Sequence, residues 1–260
     1  MIEKNSNIIH DPKIKRIVEY NDGDKQINIL DSRFYKRGDL YYPSVTSILN
    51  YFPKNQFFHS WLKDVGHNSD IIASRAAAEG TQVHNAIENF LNGKEIQWID
   101  EYGNAKYNLD VWKMILKFAD FWNTHKPELI TSEYHLFSDY YKFAGTADLV
   151  IKLFEKLWLI DIKTSNSLHT SYDLQLAAYA TAWNETHNEP IEQTGILWLK
   201  ANTRNEGKNG KIQGKGWELR SVGEIEKNFK MFQSIQEIYS LENPDLKPLT
   251  ETLPTSVKLI

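Results

Sequence analysis

The chain contains no cysteine among its 260 residues. Disulfide bonds, cysteine-ligated zinc, iron–sulfur clusters and cysteine nucleophiles are therefore excluded. It also lacks any apolar run close to the roughly 18 residues that a membrane-spanning helix needs. Residues 1–7 have neither the apolar centre of a signal peptide nor the arginine-rich character of a transit peptide. We therefore expect a cytoplasmic protein that does not associate with membranes.

A strong net charge is absent as well. Lys and Arg total 30 and Asp and Glu total 34, which leaves a formal net charge of −4. Without a global positive field, any contact with nucleic acid has to come from a local basic patch. Residues 200–215 form such a segment, which could contact phosphates or remain a solvated loop. Its candidate nucleic-acid contacts are Lys200, Arg204, Lys208, Lys211 and Lys215.

Several common catalytic motifs are missing. The sequence has no Gly-x-Ser-x-Gly nucleophile elbow and no His-Glu-x-x-His zinc motif. The basic segment is not a P-loop, because Gly210 and Gly214 are one residue too close and Gly216 follows Lys215 where Ser or Thr is required. Nothing in the sequence indicates a nucleotide-hydrolysing motor.

Two apolar, β-prone runs are present instead, 143–151 and 157–162, separated by a short turn. If the turn is centred between residues 154 and 155, Asp148 lies directly opposite Asp161, with Cβ atoms roughly 4.5–5.5 Å apart. Lys163 is two residues further on and points to the same face. Two carboxylates this close repel each other unless a cation lies between them, and oxygen ligands favour Mg²⁺ or Mn²⁺. A solvent-facing cluster with a structural salt bridge is the alternative.

Length and composition suit one large soluble domain, since 41% of the residues are hydrophobic and 25% are charged. The order of the predicted elements favours an α/β fold, with a mixed central β-sheet flanked by helices. An Asp-Gly turn predicts a hairpin within residues 1–40, and a helix start is predicted over 43–49, with Ser44 or Thr46 as its cap. The other predicted strands are 129–137, 195–199 and 217–222, and the other predicted helices are 71–91, 108–123, 171–183 and 224–239.

Two details of the helices are predicted from spacing. Apolar spacing predicts that the helix over 108–123 buries Trp112, Ile115, Ala119 and Trp122. Thr170 and Asp173 have the spacing of a capping box, which predicts side-chain hydrogen bonds at the start of the helix over 171–183.

His84 is predicted to lie on the helix over 71–91. Gly80 is one turn before it, and a glycine inside a helix costs about 1 kcal/mol relative to alanine, so it usually allows a close approach. Glu88 is one turn after His84 and could orient the imidazole ring. A partly buried histidine without a ligand role is the alternative.

Three further residues are candidates for the same site. Gln175 and Tyr179 are one helical turn apart and can face the same space, although Tyr179 could simply be an aromatic residue at the edge of the core. Glu133 is on a predicted strand and could be a further acid of the metal site, or an exposed glutamate.

The motifs in order are Gly80-Thr81-x-x-His84, Glu133, Gly145-x-x-Asp148, Asp161-x-Lys163-Thr164 and Gln175-x-x-x-Tyr179. Together they resemble the RecB-like exonuclease branch of the PD-(D/E)xK nuclease superfamily. Within that branch the chain looks most like small, stand-alone single-strand DNA exonucleases, the group of the mitochondrial genome maintenance exonuclease and its phage and bacterial relatives. The segment 43–49 also resembles the N-terminal motif of that group.

The resemblance implies a restriction-endonuclease-like α/β core and a single nuclease domain over residues 1–260. Its expected parts are an N-terminal extension (1–70), the nuclease core (71–240) and an irregular tail (241–260). The absence of cysteine excludes the relatives that carry an iron–sulfur cluster, and the absence of a transit peptide favours a bacterial or phage protein.

The resemblance also implies a role for each matching residue. Gln175 and Tyr179 would support the catalytic site, and Lys163 would position or activate the attacking water and stabilise the charge on the phosphorane. Thr81 is a candidate nucleic-acid contact. The implied ligands of Mg²⁺ or Mn²⁺ are His84, Asp148, Asp161, the backbone carbonyl of Ile162 and, more weakly, Glu133.

The residues and the resemblance together predict a metal-dependent DNA exonuclease that acts on single-stranded ends. Its pathway stays open between DNA replication, repair, recombination and phage DNA processing. We expect a monomer whose partner is DNA, and recombination or replication proteins as further partners. A structure-specific flap or branch endonuclease, a recombination nuclease and a non-catalytic DNA-end-binding protein are the alternatives.

Overall fold

The computed structural model describes residues 14–19, 25–29, 32–54, 56–200 and 216–245. Four of the predicted nucleic-acid contacts, Arg204, Lys208, Lys211 and Lys215, lie outside the described residues, as does the predicted tail beyond residue 245. The strands are β1 (Ile14–Glu19), β2 (Lys25–Ile29), β3 (Ser32–Arg37), β4 (Leu40–Pro43), β5 (Glu128–Ser138), β6 (Phe143–Leu153), β7 (Lys156–Lys163), β8 (Gln193–Trp198) and β9 (Glu218–Val222). The helices are α1 (Val45–Leu49), α2 (Gln56–Val65), α3 (Ser69–Leu91), α4 (Leu109–His125), α5 (Thr170–Thr186) and α6 (Ile225–Glu242).

The central sheet has five strands in the order β5-β6-β7-β8-β9. Only β7 and β8 run parallel within it, and α5 connects them; the other neighbours are antiparallel. Because parallel strands end at the same edge of a sheet, the carboxyl ends of β7 and β8 lie side by side. The predicted mixed sheet flanked by helices is confirmed.

Each face of this sheet carries its own apolar core. One face packs against α1, α5 and α6, and the other packs against α3 and α4. Strand β7 is buried along almost its whole length, which explains why its sequence is a continuous apolar run. The carboxylate of Asp161 is therefore carried into the interior by a strand that is otherwise apolar.

The β6–β7 hairpin has the predicted register. Leu149 pairs with Ile160 and Leu153 pairs with Lys156, so a two-residue loop connects the strands. Both loop residues, Phe154 and Glu155, have positive φ angles of 52° and 61°. Paired positive φ angles are typical of the type I′ turn, whose twist matches that of the strands, although neither residue favours that conformation.

The N-terminal region forms an antiparallel sheet of four strands, β1 to β4, where the sequence predicted a hairpin. This sheet is tied to the core at the start of α1. Ser44 caps α1 by accepting a hydrogen bond from the Ser47 amide, as predicted, and its backbone bridges to Ala144 of β6. Ser47 Oγ accepts from the Arg33 amide at 2.7 Å and donates to the Arg33 carbonyl at 3.3 Å. The short segment after β4 therefore joins β3 to the central sheet.

Two predictions about helices are wrong in detail. Asp173 does not cap α5, because it forms an ion pair with Arg220 of β9, and the N-cap residue of α5 is His169, which makes no side-chain capping bond. The buried face of α4 is rotated relative to the prediction, since the bulky Trp112 and Trp122 remain only partly buried. The residues that α4 buries are Val111, Met114, Ile115, Phe118 and Phe121.

Helix α2 was not predicted from the sequence. Helix α3 is 23 residues long and is exposed over residues 70–78, whereas Val83, Ala86 and Ile87 near its carboxyl end are buried. That buried end positions His84 over the central sheet. In the part of the chain that the structure describes, we find no helix with the length and apolar character needed to cross a membrane.

Candidate active site

The two hairpin carboxylates lie where β6 and β7 separate. The last pair of the ladder before this point is Leu149 with Ile160, and the next step of the register sets Asp148 opposite Asp161. The side chain of Asp148 then replaces the backbone partner, because its Oδ2 accepts the Ile162 amide at 2.7 Å. The sequence therefore folds into a fork in the sheet that has a carboxylate on each arm.

His84 reaches the same fork from α3. Its Nδ1 lies 3.4 Å from Glu133 Oε1 and 3.7 Å from Asp148 Oδ1, and its Nε2 lies 3.2 Å from the carbonyl oxygen of Ile162. Glu88 lines the same small recess, but Glu133 and not Glu88 contacts the ring. The sequence could not distinguish the two, because Glu88 is on the same helix and Glu133 is 49 positions away.

Glu133 has an unusual backbone conformation for a strand residue. Its φ is 48°, and the β5–β6 ladder passes from the Ser132–Leu149 pair to the Tyr134–Ala147 pair around it. A left-handed non-glycine residue costs roughly 1–2 kcal/mol, and such residues are concentrated at functional sites. This conformation accompanies the contact between Glu133 and His84.

Lys163 lies on the other side of the fork, in contact with Asp161. Its Nζ is 2.8 Å and 3.0 Å from the two Asp161 oxygens and 3.3 Å from Gln175 Oε1. Gln175 Nε2 donates to Asp161 Oδ1 at 2.9 Å, and it also lies 3.3 Å from the hydroxyl oxygen of Tyr179. Gln175 and Tyr179 therefore face the same space, as predicted, and both are buried.

Two glycines of the predicted motifs allow close packing at the site. A Cβ on Gly145 would lie only 2.2 Å from Tyr179 Cε1, so this position has no room for a side chain. A Cβ on Gly80 would lie 3.1 Å from Thr164 Oγ1, which means that α3 approaches the end of β7 at this point. Gly80 does permit a close approach, but the neighbour is the Thr164 side chain and not the backbone or phosphate that we expected beside His84.

Tyr172 also contacts the site and was not singled out by the sequence. The Lys163 ammonium lies 4.3 Å from the centroid of its ring, within the range of a cation–π contact. Tyr172 is one turn before Gln175 on α5, so the helical spacing from Gln175 would have identified it.

Burial and charge act against each other in this site. Burial disfavours the charged imidazole of His84, but Asp148 and Glu133 outweigh it and raise its pKa to about 9. Burial raises the pKa of Asp161 to about 6 against the opposing effect of Lys163, and burial also raises the pKa of Asp148. For Lys163, burial lowers the pKa but the attraction of Asp161 and Asp148 is stronger, so the net shift is upward.

The donor set fits a divalent cation. Ligand atoms of His84, Glu133 and Asp148 all lie within 4.8 Å of one another, although Asp161 is not part of this group. The imidazole has acceptor oxygens on both sides, so the arrangement requires either a proton on both ring nitrogens or a cation beside one of them. Asp161 Oδ2 is buried and lies 2.8 Å from the Lys163 ammonium, so its charge is balanced by that lysine. The carboxylate and carbonyl oxygens of this set suit Mg²⁺ or Mn²⁺.

The predicted nucleic-acid contacts are less closely tied to the fork. Thr81 is exposed on α3, and its hydroxyl donates to the Ala77 carbonyl at 3.0 Å. Lys200 follows β8 and donates to Asn166 Oδ1 at 3.3 Å. That Thr81 and Lys200 contact nucleic acid stays a prediction.

Comparison with known proteins adds a family relationship. The model of the PD-(D/E)XK nuclease superfamily matches residues 56–247. No curated protein matches the chain. Among solved structures, the chain is similar to a crystal structure from Eubacterium rectale named "Putative exonuclease", with 11% sequence identity and a TM-score of 0.41. The similarity covers 69% of this chain and 77% of that chain, and it is too distant to carry a functional argument.

Proposed function

Since the chain belongs to the PD-(D/E)XK nuclease superfamily, we propose that it is a divalent-metal-dependent deoxyribonuclease that removes nucleotides from single-stranded DNA ends. The observation that carries the proposal is the convergence of His84, Asp148 and the Asp161–Lys163 pair on one fork of the sheet. Candidate metal ligands on one side of the gap and a lysine on the other provide the groups that phosphodiester hydrolysis requires.

In this proposal the cation would lie on the His84 side of the fork. Its ligands would be His84, Asp148, Asp161, the Ile162 carbonyl and Glu133, either directly or through water. Mg²⁺ or Mn²⁺ bound there would lower the pKa of a water molecule and offset the charge of the scissile phosphate.

On the other side of the fork, Lys163 would position the attacking water and neutralise charge on the phosphate. Lys163 is held by Asp161 and Gln175, so its ammonium group has a fixed direction and can donate to a phosphate oxygen or to the attacking water. Gln175 also holds Asp161 by a hydrogen bond, and the Tyr179 ring packs directly against Gly145. The oxygen of a water molecule would form the new bond to phosphorus while the phosphorus bond to the leaving sugar oxygen breaks, and that oxygen would leave as a hydroxyl group, without a covalent enzyme intermediate.

The test is cleavage of end-labelled linear and circular single-stranded DNA with Mg²⁺, with Mn²⁺ and with EDTA. We expect metal-dependent loss of the linear strand alone, and no cleavage by Asp161→Asn. Asp39→Asn, in an exposed turn far from the fork, is the matched control and should cleave like the wild type.

Other outcomes would replace the proposal. Opening of the circle would indicate the structure-specific endonuclease instead. Retained DNA binding without cleavage in any metal would indicate a non-catalytic end-binding protein.

A further inference from the structure

Three lysines lie together beyond the end of β7, which carries Lys163. Lys113 and Lys117 are one turn apart on α4, so their side chains share a face of that helix. Lys117 Nζ donates to the Leu199 carbonyl at 2.9 Å, and Lys200 is the next residue. We call Lys113, Lys117 and Lys200 the lysine track.

The lysine track is joined to the active site through the parallel strand ends. The Leu199 amide donates to the Lys163 carbonyl at 2.9 Å, where β7 leaves the sheet. Lys200 Nζ reaches Asn166, which is three residues after Lys163. Backbone and side-chain hydrogen bonds therefore connect the segment after Lys163 to the lysine track.

The lysine track concentrates positive charge at one place on the molecule. Among the described residues, none of its three ammonium groups lies within 4.0 Å of a carboxylate. Burial lowers the pKa of Lys117, and repulsion from Lys113 and Lys200 lowers it further, while Asp110 exerts a smaller opposing effect. Like charges held this close favour the arrival of an anion.

The position of Lys117 is constrained by packing. A Cβ on Gly216 would lie 2.7 Å from Lys117 Cε, so the lysine stem lies across the backbone of that glycine. Together with the hydrogen bond to Leu199, this contact holds the central charge of the lysine track in place.

We propose that the lysine track binds the phosphates of the DNA strand that extends beyond the scissile bond. This inference rests on the proposed function and specifies how the same site holds its substrate. Lysines that contact phosphates carry no sequence information, so the track should hold strands of any sequence. Removing it should raise KM for long strands and leave kcat unchanged, because the groups at the reacting phosphate are intact.

The test is binding of a 5′-labelled single strand, long enough to reach the track, to the full chain in EDTA over a series of salt concentrations. The variant is Lys113→Ala/Lys117→Met/Lys200→Ala, in which methionine keeps the apolar stem over Gly216. The control is Lys152→Ala/Lys156→Ala/Lys230→Ala, which removes the same charge from exposed positions elsewhere. Three lost contacts should reduce the slope of log K against log salt by about 2, and affinity should fall on the order of tenfold.

An unchanged slope in the track variant, or an equal change in the control, would overturn the inference. The double variant Lys113→Ala/Lys200→Ala leaves Lys117 and its packing intact. It should reduce the slope of log K against log salt by about 1.4. The test therefore does not depend on whether the triple variant folds. Because the readout is binding without metal, it is independent of cleavage. A reduced slope with no cleavage would support the track and reject the nuclease proposal, whereas cleavage with an unchanged slope would do the opposite.

Discussion

At the scale of single residues, the site depends on how each side chain is held. Asp161 is buried and contacts Lys163 and Gln175, whereas Asp148 binds the backbone of the opposite strand. The two aspartates of the hairpin are therefore not equivalent. Asp161 is fixed by side chains of α5 and β7, whereas Asp148 is fixed by its hydrogen bond with the Ile162 amide.

Replacement of Lys163 by alanine tests the role of its charge. We expect Lys163→Ala to lower kcat by a factor on the order of 10² or more, since in the proposed mechanism it removes a donor to the reacting phosphate or the attacking water. DNA binding should change little, because the proposed lysine track is intact. The measurement is single-turnover cleavage, with Lys152→Ala on the surface of β6 as the control; turnover like the wild type would show that Lys163 is not catalytic.

Gly145→Ala tests the close contact with Tyr179. The added methyl group would overlap the tyrosine ring, so Tyr179 has to move away from Gln175. We expect a loss of about 1–3 kcal/mol in the free energy of unfolding, together with lower activity. Gly223→Ala, which has open space around it, is the control in chemical denaturation, and equal stability of the two variants would contradict the prediction.

At the scale of elements, the segment from Ser44 to Ser47 explains a motif whose role the sequence left open. Its hydroxyl groups hold both backbone groups of Arg33 and cap α1, so one turn fastens the N-terminal sheet to β6. The same sheet reaches the catalytic strand again, where Tyr35 OH lies 2.8 Å from Thr146 Oγ1.

Ser47→Ala should loosen this attachment. The Arg33 amide would lose a 2.7 Å hydrogen bond in a partly buried position, which costs about 1–3 kcal/mol. We expect faster hydrogen exchange in β3 and β4 than in the wild type. Thr46→Ala removes an exposed hydroxyl of the same turn and serves as the control; identical exchange in both variants would mean that the serine does not fasten the sheet.

At the scale of the whole molecule, the proposed metal would connect elements that are distant in sequence. His84 comes from α3, Glu133 from β5, Asp148 from β6 and Ile162 from β7. A ligand that binds these groups only when they are assembled stabilises the complete fold.

Added Mn²⁺ or Mg²⁺ should therefore raise the melting temperature. At 100 times the dissociation constant the gain is about 2.7 kcal/mol, which corresponds to about 5–10 °C for a chain of this size. The measurement is thermal denaturation with metal and with EDTA, for the wild type and for Asp148→Asn. A rise of the same size in the variant would mean that the metal binds somewhere else.

The sequence by itself determined the local features. Alternation and apolar runs located β5, β6 and β7, and the short gap between two strands was enough to predict the register that opposes Asp148 and Asp161. Helical spacing likewise paired Gln175 with Tyr179, because residues one turn apart share a face.

Only the tertiary structure decided which distant groups meet. Glu133 and not Glu88 contacts His84, and the contact is accompanied by the left-handed backbone conformation of Glu133 in β5. The pairing of Asp173 with Arg220 depends on how β9 lies against α5. The buried face of α4 was set by the sheet it covers, since indole rings can remain at the edge while Phe118 and Phe121 fill the centre. These outcomes follow from packing across the sheet, which the local pattern of residues does not encode.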